Sequence, residues 1–232
     1  MFKLDHVVYF TGKSPDEIVN EQKNIGWHAV IGGSHEKWGT HNALMYVENA
    51  YIEWLSVKNK DIAKNSGHQL VNLLLRDISK GEAWGTICLS VDDLDAFDTN
   101  IRRAGYETSG VIPAERKTAT GNIRRWKMLF VNQQPSSELP LPFFIEWEKG
   151  DEDRFNELRE DGTILPDNDK LAITECIFSL KDPAKALAEW SSLLSTTSSE
   201  NIIALPNVDL KFIEKELAVK EERLVEVVLE HV

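Results

Sequence analysis

YIEW at residues 51–54 returns as FIEW at 144–147 and, more loosely, as LVEV at 224–227. Each of these apolar runs contains one glutamate, and a carboxylate buried in a sheet costs several kcal/mol unless it is paired. Three such glutamates at comparable places predict a duplicated module whose strand ends face a shared cavity. The opening strand, LDHVVYF at 4–10, adds His6 to the same region.

The composition is that of an ordinary globular chain and excludes several classes of function. The chain has 232 residues, of which 42% are hydrophobic and 28% charged, and its net charge of −12 disfavours binding to nucleic acid. We expect no membrane-spanning helix, because no apolar run reaches about 18 residues, and no signal peptide precedes the first strand. Cys88 and Cys176 lie in apolar strand patterns, which argues against a disulfide framework or a cysteine zinc site. A cytoplasmic location is the resulting expectation.

The first module has the order strand, helix and three strands. Ser14, Pro15 and Glu17 form a capping-box pattern that begins a helix after LDHVVYF, and Gly26 is placed to end it. Strands rich in β-branched and aromatic residues follow up to about residue 57.

The same order returns twice, at 83–148 and at 171–230, and predicts an α+β fold of repeated βαβββ modules. Asp92 or Asp93 caps the second helix, and Gly105 ends it as Gly26 ends the first. We therefore divide the chain into 1–150, with two modules paired around a cavity, a linker at 151–170 with surface loop, and a third module at 171–232. A further helix is expected near 69–79, between the first two modules.

Four short motifs together resemble the glyoxalase-like domain of the vicinal oxygen chelate superfamily: LDHVV at 4–8, GGSH at 32–35, GTHN at 39–42 and YIE at 51–53. VDDLD at 91–95 also resembles the strand-to-helix turn of that superfamily. The resemblance covers roughly residues 4–148, and the third module matches in topology only.

The resemblance implies a metal or ligand cavity between paired modules, with ligands from the first and last strands of each. Carried onto this chain, those positions are His6, Glu53 and Glu146, with Thr86 near the fourth. An imidazole and carboxylates suit a divalent metal such as Fe, Mn, Ni or Zn. Because threonine is a poor ligand for a transition metal, we expect weak metal occupancy or none, and a metal-free site stays open.

Each candidate also has a structural interpretation. His6 is alternatively a core histidine that bonds a backbone carbonyl, and Glu53 and Glu146 are alternatively solvated positions near strand ends, as the third glutamate suggests. If the site is catalytic, Glu53 or Glu146 is a metal ligand or the general base.

Four residues are candidates for contact with substrate: His35, Thr40, Asn42 and Arg124. The first three belong to the GGSH and GTHN motifs, where turn chemistry is the alternative explanation. Alternation places Arg124 and Arg125 on opposite faces of a strand, so one of them faces the cavity, to bind a carboxylate or to pair with a glutamate such as Glu146.

Three functions remain open from the sequence. The first is a glyoxalase-like enzyme, a lyase, isomerase or dioxygenase, that acts on a small oxygen-rich metabolite. The second is a metal-free protein that binds such a molecule without catalysis, and the third is an interaction role. The expected partner is a small molecule, and the third module is expected to pack across the other two or against its copy in a homodimer.

Overall fold

The computed structural model describes residues 1–117, 123–214 and 221–232 and has an α+β fold. Its elements, in chain order, are β1 (Lys3–Phe10), α1 (Pro15–Asn24), β2 (Val30–His35), β3 (Thr40–Tyr46), β4 (Tyr51–Val57), α2 (Lys60–Asn65), α3 (Gln69–Asp77), β5 (Ala83–Ser90), α4 (Leu94–Arg103), β6 (Ile112–Lys117), β7 (Ile123–Leu129), β8 (Phe143–Trp147), α5 (Asp151–Glu160), β9 (Leu171–Leu180), α6 (Pro183–Leu193), β10 (Ile202–Leu205), β11 (Val208–Glu214) and β12 (Arg223–His231).

The first two modules form one eight-stranded sheet in the order β2-β3-β4-β1-β5-β8-β7-β6. The first strands of the two modules, β1 and β5, pair antiparallel at the centre. Each is flanked by the last strand of its own module in parallel, β4 beside β1 and β8 beside β5. The predicted fold class of paired βαβββ modules is confirmed.

Local sequence signals begin and end the helices as expected. Ser14 and Glu17 form the reciprocal capping box of α1, with Pro15 in its first turn. Asp93, rather than Asp92, caps α4 by accepting a hydrogen bond from the backbone N–H of Ala96. The helix expected near 69–79 is α3.

The third module forms a separate four-stranded sheet in the order β10-β11-β9-β12. Its last strand, β12, runs antiparallel to its first, β9, whereas β4 and β8 run parallel to the first strands of their modules. The LVEV stretch in β12 is therefore not equivalent to YIEW or FIEW, and Glu226 is exposed.

The third module packs across the first two. The side-chain amide of Asn207 accepts a hydrogen bond from the backbone N–H of Leu4 and donates one to its carbonyl oxygen. The side-chain amide of Asn49 makes the same two hydrogen bonds with the backbone of Ile173. One apolar core runs without a break from the first sheet into the third module. The sequence left two placements open for the third module, and in the structure it packs across the first two modules.

The stretch expected to be a linker, 151–170, contains α5 and is well packed. Phe155, Leu158 and Ile164 are buried beside the first module, and Arg154 is buried as well. The helix was not predicted because its first turn consists of four charged residues and it has only two large apolar residues, too few to show a helical period in the sequence. The division into 1–150 and 171–232 stays a prediction.

The two faces of the eight-stranded sheet have different neighbours. One face carries Val7, Ile52, Ile87 and Phe144 and packs against α4 and the third module. The other face lines a cavity of about 950 Å³ with side chains from both modules. Alternation along β1, β4, β7 and β8 decides which residues reach that cavity.

Candidate active site

His6 and Glu53 meet in the wall of the cavity. Their strands, β1 and β4, are parallel neighbours, and His6 Nε2 lies 3.5 Å from Glu53 Oε2. His6 is 3% exposed and Glu53 is 7% exposed. The His6 ring is stacked on Tyr51 at 4.3 Å between ring centroids, which fixes its plane.

A bulge in β1 brings a second carboxylate to His6. Asp5 has no partner on β5, because the register shifts between Leu4 and His6. Such a bulge re-aims a side chain, and Asp5 Oδ1 lies 2.7 Å from His6 Nδ1. Since Asp5 accepts that hydrogen bond, Nδ1 carries the proton and Nε2 faces Glu53 and the cavity.

Arg154 of α5 anchors this arrangement from behind. Its Nη2 donates to Asp5 Oδ2 at 3.1 Å, and Trp147 Nε1 donates to the same oxygen at 2.7 Å. The Arg154 guanidinium also lies 4.5 Å from the centroid of the Trp147 ring. A buried chain of groups thus runs from Arg154 through Asp5 and His6 to Glu53.

The four groups of this chain stabilise one another in their charged forms. Burial raises the pKa of Asp5, but Arg154 and His6 lower it by more, so that it lies below its usual value. Burial likewise opposes ionisation of Glu53, and His6 outweighs it, so the pKa of Glu53 is also lowered. For His6, burial lowers the pKa, but the hydrogen bonds of its ring to Asp5 and Glu53 outweigh burial, and the pKa is raised well above the usual value. At neutral pH two carboxylates thus face an imidazolium and a guanidinium.

Asn42 of β3 holds Glu53 rather than facing a ligand with a free amide. Its Nδ2 donates to Glu53 Oε1, and its Oδ1 accepts from the backbone N–H of Gly33 at 2.8 Å. A Cβ on Gly32 would lie 2.2 Å from Asn42 Oδ1, so the glycine in the GGSH motif makes room for this amide. Asn42 lines the cavity as predicted, but its hydrogen bonds orient the glutamate.

His35 and Thr40 lie together at another part of the cavity wall. His35 Nδ1 is 3.0 Å from Thr40 Oγ1, and burial lowers the pKa of His35. His68, which the sequence did not single out, lies between the rings of Trp38 and Phe130. Both its ring nitrogens are buried without a hydrogen-bond partner among the described residues, and burial lowers its pKa to about 4. These imidazoles are therefore neutral at neutral pH.

Glu146 does not join His6 and Glu53, contrary to the expected convergence of the three, and its role as ligand or base stays a prediction. In β8, Phe143 and Ile145 face the cavity, and Glu146 borders it with its carboxylate bonded elsewhere. Its Oε2 accepts from the backbone N–H of Leu94 at the start of α4 (2.8 Å), and its Oε1 from Lys127 (3.1 Å). The carboxylate stabilises the helix N-terminus at the cavity rim.

Strand register shows which residues are equivalent in the two modules. When β1 and β5, which have the same length, are aligned from their first residues, His6 corresponds to Thr86, while the pairing itself places Cys88 opposite His6. The same relation makes Phe143 in β8, rather than Glu146, the equivalent of Glu53 in β4. The second module therefore offers a hydroxyl and a phenyl ring where the first offers an imidazole and a carboxylate.

This donor set does not fit a transition-metal centre built from four strand positions. In the parts of the chain that the structure describes, His6 and Glu53 are the metal-ligand types at those positions, whereas catalytic zinc usually has three protein ligands. Asp5, His6 and Cys88 also cluster, but Asp5 is held by Arg154 and burial raises the pKa of the Cys88 thiol to about 12. Neither Asp5 nor Cys88 lines the cavity, so this cluster is enclosed within the wall.

Arg124 faces the cavity, whereas Arg125 borders it and extends into solvent. The Arg124 side chain is 12% exposed and its Nη2 bonds Asp161 Oδ2 at 2.8 Å. The Arg125 side chain is 51% exposed and pairs with Glu115 and Glu148. The carboxylate partner of the inward arginine is therefore an aspartate that follows α5, and not Glu146.

Comparisons with known proteins agree with this fold. A family model described as glyoxalase-like domain matches residues 4–194. A hypothetical protein from Staphylococcus aureus is 22% identical, covers 100% of this chain and 92% of its own, and superposes with a TM-score of 0.80. Methylmalonyl-CoA epimerase from Mycobacterium tuberculosis is 17% identical, with coverage of 66% of this chain and 91% of its own and a TM-score of 0.43. Comparison with curated proteins gave no match.

In the described residues, no helix has the length and apolar character needed to cross a membrane. The match of the family model over most of the chain and the paired βαβββ sheet both point to one family. The chain belongs to the glyoxalase-like domain family.

Proposed function

We propose that the protein is an enzyme that moves a proton on a small oxygen-rich metabolite, with Glu53 as the general base. The observation that carries this proposal is the buried contact of Glu53 with His6 in the cavity wall. Glu53 is ionised at neutral pH, because its pKa is lowered, and it is held in one orientation by Asn42. A fixed carboxylate beside a cavity is suited to remove a proton from a carbon next to a carbonyl group.

His6 is the second participant in this proposal. Its imidazolium lies against Glu53 and is stabilised by Asp5; it donates its Nε2 proton to an oxygen of the substrate as Glu53 removes the proton from carbon, and takes that proton back when the product forms. Isomerisation or elimination follows from such a transfer, so isomerase or lyase activity is favoured among the reactions expected from the sequence. A dioxygenase needs a redox metal, which the donor set in this wall does not fit.

The rival is a binding protein without catalysis. Both oxygens of Glu53 already have neighbours, Asn42 and His6, so the carboxylate has an internal structural role. A purely structural carboxylate would hold the shape of the cavity and accept no proton from a ligand.

Deuterium exchange distinguishes the two proposals without knowledge of the full reaction. Small 2-oxo, 2-hydroxy and dicarboxylic acids are screened for binding by thermal shift, and the ligands that bind are incubated with the protein in deuterium oxide. NMR then reports deuterium at the carbon next to the carbonyl. We expect exchange with the wild type, none with Glu53→Gln despite retained binding, and full exchange with Glu146→Gln as the matched control.

Two results would go against the enzyme. Equal exchange with Glu53→Gln would remove Glu53 as the base, and bound ligands that never exchange with the wild type would favour the binding protein. The assay is repeated after treatment with chelator and after addition of Fe²⁺, Mn²⁺, Ni²⁺ or Zn²⁺. Exchange that requires one of these ions would show that a metal takes part.

We also propose a cytoplasmic location and a small-molecule partner. Cys88 and Cys176 are buried free thiols, as is usual where the surroundings are reducing. A homodimer is proposed on the basis of β12, which is an edge strand of its sheet. Light scattering of the purified chain tests the dimer.

A further inference from the structure

Two arginines lie side by side in the cavity wall that the second module contributes. Arg116 of β6 and Arg124 of β7 are direct partners in the antiparallel register, and both side chains line the cavity. Residues opposite one another on one face of a sheet have Cβ atoms about 5 Å apart. The two side chains therefore leave the sheet next to each other on its cavity face.

The local partners neutralise this pair incompletely. Arg124 bonds Asp161 through Nη2, but its Nε is buried and has no acceptor among the described residues. Arg116 donates from Nη1 to the carbonyl oxygen of Gly32 at 2.6 Å, and within the described ranges no carboxylate lies within ion-pairing distance of it. One carboxylate thus serves two cations, and one guanidinium N–H inside the wall has no acceptor among the described residues.

Tyr46 adds a neutral donor to the same region. It is buried in β3, it lines the cavity, and the charges of Arg116 and Arg124 act on its hydroxyl group. Burial is the largest influence and raises the pKa of Tyr46, so the phenol keeps its proton. Two guanidinium groups and a phenol are donors that suit an oxyanion.

We infer that the substrate is an organic anion whose acid group, a carboxylate or a phosphate, binds between Arg116 and Arg124 while its reacting carbon faces Glu53. This inference rests on the proposed function for the placement of the reacting carbon, but not for the binding of the anion. A guanidinium binds an oxyanion through two parallel hydrogen bonds along one of its edges. In Arg124 the edge with Nε also contains Nη2, which already donates to Asp161, so an acid group bound there shares that edge with Asp161 or displaces it.

The two modules then have different tasks. The first supplies the ionised pair His6 and Glu53, and the second supplies the arginines that bind and orient the acid group. This assignment agrees with the loss of ligand-type residues at Thr86 and Phe143 in the second module, since a module that only binds the anion needs none.

Binding of small anions tests the inference. The probes are succinate, glycerol 3-phosphate and, as a neutral match, succinamide, with calorimetry on the full-length chain at low salt. The variants are Arg116→Gln, Arg124→Gln and the control Arg103→Gln, an exposed arginine of α4 that does not line the cavity. We expect at least one acid to bind to the wild type and to Arg103→Gln equally, with about 10-fold or greater weakening in the two inward variants. Succinamide should not bind measurably.

Each outcome has a defined meaning. Binding of succinate alone assigns a carboxylate, and binding of glycerol 3-phosphate alone assigns a phosphate. Equal affinity of wild type and both inward variants, equal binding of succinamide, or no binding of either acid would overturn the inference. Arg124→Lys keeps the charge and guards against unfolding of Arg124→Gln, because it should retain part of the affinity.

The same probes separate this inference from the proposed function. Glu53→Gln should bind the acid as tightly as the wild type, or more tightly, since it removes a negative charge from the cavity. If the arginines bind the acid but no deuterium exchange occurs, the acid–base proposal fails and the anion site stands.

Discussion

Replacement of Arg154 by methionine should lower the free energy of unfolding far more than expected for an arginine in a charged segment that the sequence assigns to a linker. Arg154 is 6% exposed, and its guanidinium pairs with Asp5 at 3.1 Å and with Asp151 at 3.2 Å. Methionine keeps most of the apolar stem against Trp147 but removes the charge. Asp5 then has only the imidazolium of His6, which it shares with Glu53, so one buried negative charge is uncompensated, and breaking a buried pair in this way costs about 3–5 kcal/mol.

Arg159→Met is the matched control on the same helix. The Arg159 side chain is 37% exposed and pairs with Asp169 at 2.8 Å. Exposed pairs contribute about 0–1 kcal/mol, so the control should stay close to the wild type. The free energy of unfolding is measured for all three proteins by urea titration at neutral pH, with tryptophan fluorescence and circular dichroism followed together.

The double variant Asp5→Asn/Arg154→Met tests the cause. If the unpaired carboxylate is what destabilises Arg154→Met, removal of that charge should restore part of the loss, so the two substitutions should be less than additive by about 1 kcal/mol or more. A loss in Arg154→Met no larger than in Arg159→Met would refute the reasoning. Strict additivity in the double variant would show that the guanidinium acts through packing alone.

Two further predictions concern the histidines. His68 has a pKa of about 4 in the folded protein, so only the unfolded chain takes up its proton as pH falls below about 6.5, and the wild type should lose stability. Between neutral pH and about pH 4.5, urea titrations should show a loss of unfolding free energy about 2–3 kcal/mol larger for the wild type than for His68→Phe. Equal acid sensitivity of the two proteins would contradict this prediction. The pKa of His6 is raised in the folded protein, so its contribution to the free energy of unfolding is fully present below about pH 6.5 and is lost as pH rises through the pKa of the folded state. NMR of the ring nitrogens should show an imidazolium at neutral pH, and His6→Gln should lack this loss of stability at alkaline pH. A neutral His6 ring in the wild type at neutral pH would contradict this prediction.

Local signals were enough to predict much of the fold. The capping box at Ser14 and Glu17, the cap at Asp93 and the helix near 69–79 depend on neighbouring residues only, and all appear in the structure. The order of strands and helices then predicted the paired modules. His6 and Glu53 were also brought together as expected, since β1 and β4 are the parallel neighbours within their module.

What the sequence could not show depends on register and on distant contacts. The bulge at Asp5 turns that carboxylate toward His6, and no local pattern marks a bulge. Arg154 reaches the same carboxylate from 149 positions away in the chain. His68 was missed because its neighbours, Trp38 and Phe130, come from distant parts of the chain and bury it only in the folded protein.

The failure of Glu146 to converge with His6 and Glu53 follows from the period of a β-strand. FIEW looks like YIEW, but register makes Phe143 the equivalent of Glu53, so Glu146 lies three positions beyond it. An odd displacement moves a side chain to the opposite face of the sheet. The same letters therefore give a cavity residue in β4 and a helix-capping residue in β8. Likeness of short motifs predicts the strand, but only the pairing of strands decides whether its charged residue takes part in chemistry.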